Sequence, residues 1–409
     1  MPTTCRLCET PLTQSVVDLG VTPLANSYVK PADLEKREVF FPLHARVCEC
    51  CWLVQVPECA KPETIFRDYA YFSSFSDSWV AHAKQYVESV IPRFRLGSNS
   101  FVVELASNDG YLLKHFWERK IACLGVEPAR NVAQAAEKNG VPTLVEFFTN
   151  EVAEKLVAKN LSADLIIGNN VLAQVPNLKD FNQGIRTLLK PDGVVTIEFP
   201  HLLKTIEKNE FDTVYHEHYS YFSLHSAETA FVQAGIRLFD VEQLPTHGGS
   251  LRIYGCRQES LAHPELPSIS ALKEREKEAG LLDVATYAQF HTRVETVKRE
   301  LLTFLIEARR QGKTVAAYGA PAKGNTLLNF CGIKNDFISF TVDRNPHKQG
   351  CFLPGSRIPI YAPEHLAKAR PDYVLILPWN LADEIMSQCA YVRQWGARFV
   401  LPIPSLTVL

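Results

Sequence analysis

Short apolar runs alternate with stretches of helical spacing through the middle of the chain. Phe101-Val102-Val103-Glu104-Leu105 has the length and composition of a strand. The loop Ala106-Ser107-Asn108-Asp109-Gly110 follows, and Tyr111-Leu112-Leu113-Lys114 opens a helix. Ile121 to Val126 predicts the next strand, with Glu127 directly after it, and a helix begins at Arg130. Asp164-Leu165-Ile166-Ile167 and Val194 to Phe199 are two more strands, the second preceded by the turn Pro191-Asp192-Gly193. Strands alternating with helices predict a mostly parallel sheet covered by helices on both faces. The same plan returns later. Thr314 to Tyr318 is a strand, Gly319-Ala320-Pro321-Ala322-Lys323-Gly324-Asn325-Thr326 a loop, and Leu327-Leu328-Asn329 a helix start. Phe340-Thr341-Val342-Asp343 is a strand ending on an acid, and Tyr373 to Leu377 and Phe399 to Leu401 complete the set.

The flanks read differently. The first segment is short of helical pattern and rich in turn residues. A helical run from Trp79 to Arg95 follows the aromatic, serine-rich stretch Tyr69 to Ser74. His263-Pro264-Glu265-Leu266-Pro267-Ser268 is a linker, and a charged helical stretch runs from Ala271 to Gln311. Its apolar positions Val294, Val297, Leu301, Leu305 and Ala308 mark a packing helix. The expectation is an α/β chain of three parts: residues 1–65 as a small module, 66–262 as a first doubly wound domain, and 263–409 as a second Rossmann-like one.

Composition narrows the class. The 409 residues carry a formal charge of −2, so no global basic field favours nucleic acid. No apolar stretch is long enough to span a bilayer. The N-terminus has no basic start and no apolar signal core, which points to the cytoplasm. Nothing in the pattern demands an oligomer, and a monomer is the simplest expectation. Eleven cysteines, an odd number, argue against a disulfide framework in that reducing setting. Four of them form two C-x-x-C pairs, Cys5 with Cys8 and Cys48 with Cys51. That is the donor set of a structural Zn²⁺ site, and a module too small to bury a large core gains most from such a staple. Cys50 could compete as a ligand, but the matched spacing favours Cys48 and Cys51.

In parallel sheets ligands bind beyond the carboxyl ends of the strands. The loop Glu104 to Gly110 lacks lysine and G-x-G-x-x-G spacing, so it is poorly suited to a pyrophosphate. An acidic loop suits a cationic cofactor. S-adenosylmethionine, with its sulfonium and amino groups, fits Glu104, Ser107, Asn108, Asp109 and Gly110 on this basis. Glu127 stands where an acid accepts from ribose hydroxyls. Asn169-Asn170-Val171-Leu172, after the fourth strand, would face the methionine end and the substrate.

Val214-Tyr215-His216-Glu217-His218-Tyr219-Ser220-Tyr221-Phe222 gathers two histidines, a glutamate and three tyrosines. Its H-E-H lacks the i, i+4 spacing of a zinc protease helix. A histidine base oriented by its neighbours is the better reading.

These stretches together resemble the sugar C-methyltransferases that add a methyl group at C-3 of nucleotide-linked 4-keto-deoxysugars. The likeness rests on the four cysteines, Ser107 to Gly110, Asn169 to Leu172, Glu217-His218-Tyr219, His247-Gly248-Gly249-Ser250-Leu251-Arg252, Gly319 to Thr326, and Pro378-Trp379-Asn380. It covers essentially the whole chain. It implies His218 as the base, Glu217 and Tyr215 as its orienting or sugar-contacting neighbours, and Tyr69 as a residue approaching the sugar. One departure stands out: Gln174 occupies a position where the family often has histidine, and glutamine cannot titrate near neutrality. The second α/β half is expected to hold the nucleotide, with dTDP favoured. Lys323 would supply charge, Asn325 and Thr326 a helix N-terminus, Asp343 an acceptor for hydroxyls, and Trp379 a contact to base or sugar. His247 either lines the sugar pocket or joins two strands. The competing readings are a zinc-module methyltransferase acting on RNA or another small molecule, and a non-catalytic nucleotide-binding interaction protein.

Overall fold

The structure, a computed structural model, describes residues 4–66 and 72–409. Tyr69 lies outside them. Among the described residues there are three sheets.

The largest sheet has seven strands in the spatial order Ile236–Leu244, Ser250–Arg257, Leu189–Pro200, Ala163–Asn169, Phe101–Leu105, Ala122–Val126, Thr143–Leu144. All neighbours are parallel except those of Ser250–Arg257, which runs antiparallel to both. Alternation along each strand feeds two cores. Val103 and Leu105 join one apolar cluster, while Val102 joins the other on the opposite face. The order reverses between Phe101–Leu105 and Ala163–Asn169, and the loops after these two strands diverge there. That is the crevice in which open α/β sheets bind ligands.

The C-terminal sheet has six strands ordered Ile360–Tyr361, Thr341–Val342, Val315–Tyr318, Tyr373–Ile376, Arg398–Leu401, Thr407–Val408, parallel except for the last. In chain order this is 3-2-1-4-5-6, the doubly wound dinucleotide-fold order. Its reversal lies between Val315–Tyr318 and Tyr373–Ile376, so the Gly319–Gly324 loop and the Pro378-Trp379-Asn380 turn flank a second crevice.

The long helical stretch is two helices, Pro267–Glu278 and Val284–Arg310. Gly280 takes φ +78° between them, a conformation that costs glycine little. The Asp283 side chain then caps the second helix by accepting from Ala285 N. Val294, Val297, Leu301, Leu305 and Ala308 are all buried, as the spacing predicts. No helix among the described residues is long and apolar enough to cross a membrane.

The third sheet alters the picture of an independent N-terminal module. Gln14–Thr22, Phe41–Val47 and Val54–Gln55 pair antiparallel, and the fourth strand is Ser220–Tyr221. That strand begins two residues after His218. Val17, Leu43 and Val47 share one apolar cluster with Phe211, Val214, Leu301 and Ala317. The small module therefore has no closed core of its own. It is completed by the His218 segment and packed on the long helix and the C-terminal domain.

Candidate active site

The metal site is built from two turns of the same shape. In each C-x-x-C pair the residue after the second cysteine is left-handed, Glu9 at φ 66° and Trp52 at φ 59°. In each, that residue's N–H donates back to the carbonyl of the first cysteine. The four sulfurs of Cys5, Cys8, Cys48 and Cys51 lie within 4.8 Å of one another, and three pairs are 3.4–3.6 Å apart. Four thiolates about 2.3 Å from one zinc would be about 3.8 Å apart, so the cage fits the ion. Gln55 Nε2 and Leu7 N both point at Cys5 Sγ, the donors that a metal-bound thiolate accepts from. Cys50 is exposed and outside the cluster.

One cavity of about 520 Å³ is lined from both crevices. Leu105, Ala106, Asn108, Asn169, Asn170 and Val171 reach it from the first sheet, and Pro321, Ala322, Lys323, Pro378 and Asn380 from the second. Its wall is polarised. The carboxylates lining it, Glu63, Glu127 and Asp180, come from the N-terminal segment and the first α/β domain. The lysines lining it, Lys323 and Lys348, both come from the C-terminal domain. Such a cavity suits a cationic ligand at one wall and an anionic one at the other.

At the acidic wall, Glu127 accepts from Asn108 N at 2.9 Å and Ala129 N at 2.8 Å. Burial pushes its carboxyl up to about 7, against the pull of those two N–H groups. A carboxylate so fixed still has lone pairs for a ligand's hydroxyls. Ala106 and Asn108 adopt φ 54° and 50°, which turns the loop under the cavity. Asn108 Oδ1 and Asp109 Oδ2 accept from Ser73 N and Ser74 N. Of the residues expected to hold the cofactor, Asn108, Glu127, Asn169 and Asn170 line the cavity. Glu104, Ser107, Asp109 and Gly110 do not; they shape the loop behind it. Ser107 packs where a side chain on Gly125 would collide, and burial holds the Glu104 carboxyl well above the usual range.

Between these walls lies the Tyr215–His218 pair. His218 Nδ1 faces the carbonyl of Thr213 at 3.2 Å and must donate there. Nε2 is thereby the acceptor, and the Tyr215 hydroxyl meets it at 2.8 Å. Burial, opposed by the Thr213 carbonyl and helped by His247 and Lys323, pulls His218 down to about 3. The histidine is neutral, with its basic nitrogen capped by a phenol. Both residues line the cavity. Glu217 sits behind them, buried, accepting from Asn26 Nδ2 at 2.5 Å, and burial raises it to about 7.

His247 both joins two strands and lines the cavity. It and Asn170 are left-handed, at φ 55° and 57°, and their side chains meet at 3.0 Å. Two strained non-glycine residues bonded to one another mark a built site. Gln174 lines the same cavity.

At the basic wall, Lys323 Nζ donates to Asn380 Oδ1 at 2.9 Å and lies 4.5 Å over the Trp379 ring. Trp379 thus stands behind the lysine, its Nε1 donating to Asp212 Oδ2 at 2.8 Å. Three expected nucleotide ligands are placed elsewhere. Asn325 Nδ2 donates to Ala25 O at 2.6 Å and Thr326 Oγ1 to Val214 O at 3.1 Å, so both side chains join domains rather than face the cavity. Asp343 accepts from Ala320 N at 2.7 Å and Asn345 N at 2.8 Å. It pins the loop, much as Glu127 does in the first half. The physical reason is common to all three: unpaired backbone groups at the domain junction take the nearest side chain.

The sequence reading misses Asn26, Trp79 and Lys348, all on the cavity wall. Trp79 stacks on His82 with centroids 5.1 Å apart and meets the His247 ring at the same distance. Its position on a helix looked like ordinary core packing. Neither Asn26 nor Lys348 follows a strand that would have flagged it.

Comparisons with known proteins agree with this geometry. Family models match the chain as a zinc binding domain over residues 5–66, a methyltransferase domain over 79–241, and a C-methyltransferase C-terminal domain over 245–404. The C-methyltransferase NovU of Streptomyces niveus is 37% identical over 405 residues, covering 99% of this chain and 96% of that one. Among solved structures, a methyltransferase of Anabaena variabilis matches at TM-score 0.35 and 15% identity, over 44% of this chain and 86% of that one. The magnesium protoporphyrin IX methyltransferase of Synechocystis, with bound S-adenosylhomocysteine, matches at TM-score 0.34 and 13% identity, over 44% and 84%. These last two carry no argument about chemistry. The match to the whole length of a C-methyltransferase does: this chain belongs to the C-methyltransferase family, and is an S-adenosylmethionine-dependent enzyme with a structural zinc site.

Proposed function

We propose that the enzyme methylates C-3 of a nucleotide-linked 4-keto-6-deoxyhexose, with dTDP the favoured nucleotide. The observation that carries this reading is the single cavity with carboxylates on one wall, lysines on the other, and Tyr215 and His218 on its surface. A cationic methyl donor and an anionic sugar nucleotide are the pair of ligands such a cavity suits. In this reading residues 66–262 are the methyltransferase domain and 263–409 hold the nucleotide.

The proton chemistry belongs to His218 and Tyr215. A C-4 ketone acidifies the C-3 proton. As the sugar enters, the Tyr215 hydroxyl transfers its hydrogen bond from His218 Nε2 to the C-4 oxygen. The freed Nε2 lone pair takes the C-3 proton, and the C–H electrons move into the enolate, whose oxyanion Tyr215 stabilises. S-adenosylmethionine, when bound, supplies the electrophilic methyl that the enolate carbon takes. The depressed basicity of His218 is set partly by Lys323. A diphosphate pairing with that lysine cancels its charge, and the enolate adds a negative one, so His218 becomes a stronger base only when substrate is present. Gln174 and His247 line the sugar's position, with Tyr69 approaching from the N-terminal side.

Two outcomes follow at the two walls. Glu127→Ala is expected to weaken S-adenosylhomocysteine by about 10- to 100-fold in calorimetric titration, the range of one charge-assisted contact of about 1.5–3 kcal/mol. Lys323→Ala is expected to weaken dTDP by a similar factor and leave S-adenosylhomocysteine nearly unchanged. Equal titrations for the Lys323 variant and the parent would contradict that assignment.

Mass spectrometry on a panel of sugar nucleotides tests the function itself. The expected product is a 4-keto-6-deoxy sugar nucleotide one methylene heavier, with C-3 deuterium lost to solvent. Methyl transfer to RNA, with none to any 4-keto sugar nucleotide, would sink the proposal.

A further inference from the structure

We propose that Lys348 is a second cation gripping the substrate's diphosphate, and that the zinc-bearing segment holds it in place. The inference rests on the nucleotide-sugar reading above and adds a residue and a route to it. Lys348 is 7% exposed, yet it lines the cavity. It stands in the turn Asn345-Pro346-His347-Lys348, after the second strand of the C-terminal sheet. Its Nζ donates to the carbonyl of Ala320 at 2.9 Å, in the loop that carries Lys323. Both lysines therefore border one loop, Gly319 to Lys323, at the topological switch point of that sheet. The loop leads into the ten-residue helix Ala322–Cys331, whose N-terminal N–H groups favour negative charge.

The lysine is held from below by the N-terminal segment. Nζ lies 5.1 Å from the centroid of the Tyr28 ring. The Tyr28 hydroxyl donates to the same Ala320 carbonyl at 2.6 Å and lies 3.2 Å from Asn26 Oδ1. Asn26 in turn donates to Glu217, next to His218. Asp343, the nearest carboxylate, is 4.0 Å away and accepts two backbone N–H groups. Holding an ammonium this deep costs free energy unless an anion answers it. An ammonium has three protons, so it can keep the Ala320 carbonyl while meeting a phosphate oxygen. Two lysines bordering one loop fit the two phosphates of a nucleoside diphosphate. The chain of contacts from Lys348 through Tyr28 and Asn26 to Glu217 ties that grip to the catalytic segment.

The test compares dTDP with thymidine, which has no phosphate, by titration calorimetry on the zinc-loaded full chain and its Lys348→Met and Lys348→Arg variants. In the parent dTDP is expected to bind far more tightly than thymidine. Lys348→Met should lose at least tenfold in dTDP affinity, keep thymidine and S-adenosylhomocysteine affinity, and raise KM for the sugar nucleotide more than it lowers kcat. Lys348→Arg should recover most of the loss. An unchanged dTDP affinity in Lys348→Met, with the parent still preferring dTDP, would overturn the role of Lys348 alone. Equal loss of thymidine, dTDP and S-adenosylhomocysteine would make Lys348 a structural tether instead. A parent with no preference for dTDP over thymidine would sink the nucleotide-sugar reading and this inference with it.

Discussion

His218→Ala is expected to lower the rate of methyl transfer by about two to four powers of ten, the usual contribution of a positioned general base. The affinity for S-adenosylhomocysteine should change little, because the acidic wall that includes Glu127 and Asn108 contains no part of His218. The geometry makes the assignment specific. Nδ1 is committed to Thr213 O, so Nε2 alone has a lone pair for a proton. The rival histidine on the wall, His247, has its Nε2 bonded to Asn170 and is pulled down to about 4, first by burial and then by Lys323. Single-turnover kinetics on a 4-keto sugar nucleotide, with deuterium at C-3, would measure both the rate and the proton loss. Near-normal turnover in the variant, with C-3 deuterium still washing out, would remove His218 from the role.

Removing the metal should have the other large effect, and on structure rather than chemistry. Structural zinc contributes about 10–16 kcal/mol in small zinc-finger peptides, as much as the whole stability of a typical domain. Cys51→Ser, or stripping the zinc by chelation, is therefore expected to unfold the segment from Cys5 to Val56. Strand Val54–Gln55 pairs with Ser220–Tyr221, and Val56 N donates to Tyr219 O, so the catalytic segment loses its edge partner at the same time. Methyl transfer should fall to background while S-adenosylhomocysteine still binds. Limited proteolysis, metal analysis and calorimetry together check this. A zinc-free protein that keeps most of its kcat would show that the small sheet holds without its staple. No step of the proposed chemistry uses the ion, and a site with four thiolates has no open position for substrate.

Much of the architecture was legible in the chain. Strand periodicity and its repetition in the second half express local physics: a buried parallel strand needs a short apolar run, and a helix needs spacing near 3.6 residues. The zinc ligands were legible because two C-x-x-C pairs impose their own geometry. Glu127 was legible because an acid at a strand's end has a fixed place in such folds. The fine boundaries were less so. The helical stretch Ala271–Gln311 splits at Gly280, and the hairpin Ile236–Leu244 with Ser250–Arg257 completes the large sheet without a clear signal of its own.

The site divides along the same line. Lys323 and His218 carry chemistry that residue type and local context announce. Asn325, Thr326 and Asp343 carry the same apparent promise, but their side chains are spent on backbone groups at the domain junction. Lys348, Asn26 and Trp79 gave no signal, because each reaches the cavity through packing between segments far apart in the chain. The sequence by itself determined the two α/β halves, the metal cage and the identity of the reactive segment, since each depends on residues close together or on a fixed spacing. Only the tertiary structure decided that both crevices open into one polarised cavity, that the zinc-bearing sheet is completed by the strand after His218, and which lysines face the ligand. Those outcomes depend on how three separate cores come together, and no local pattern of polar and apolar residues encodes that meeting.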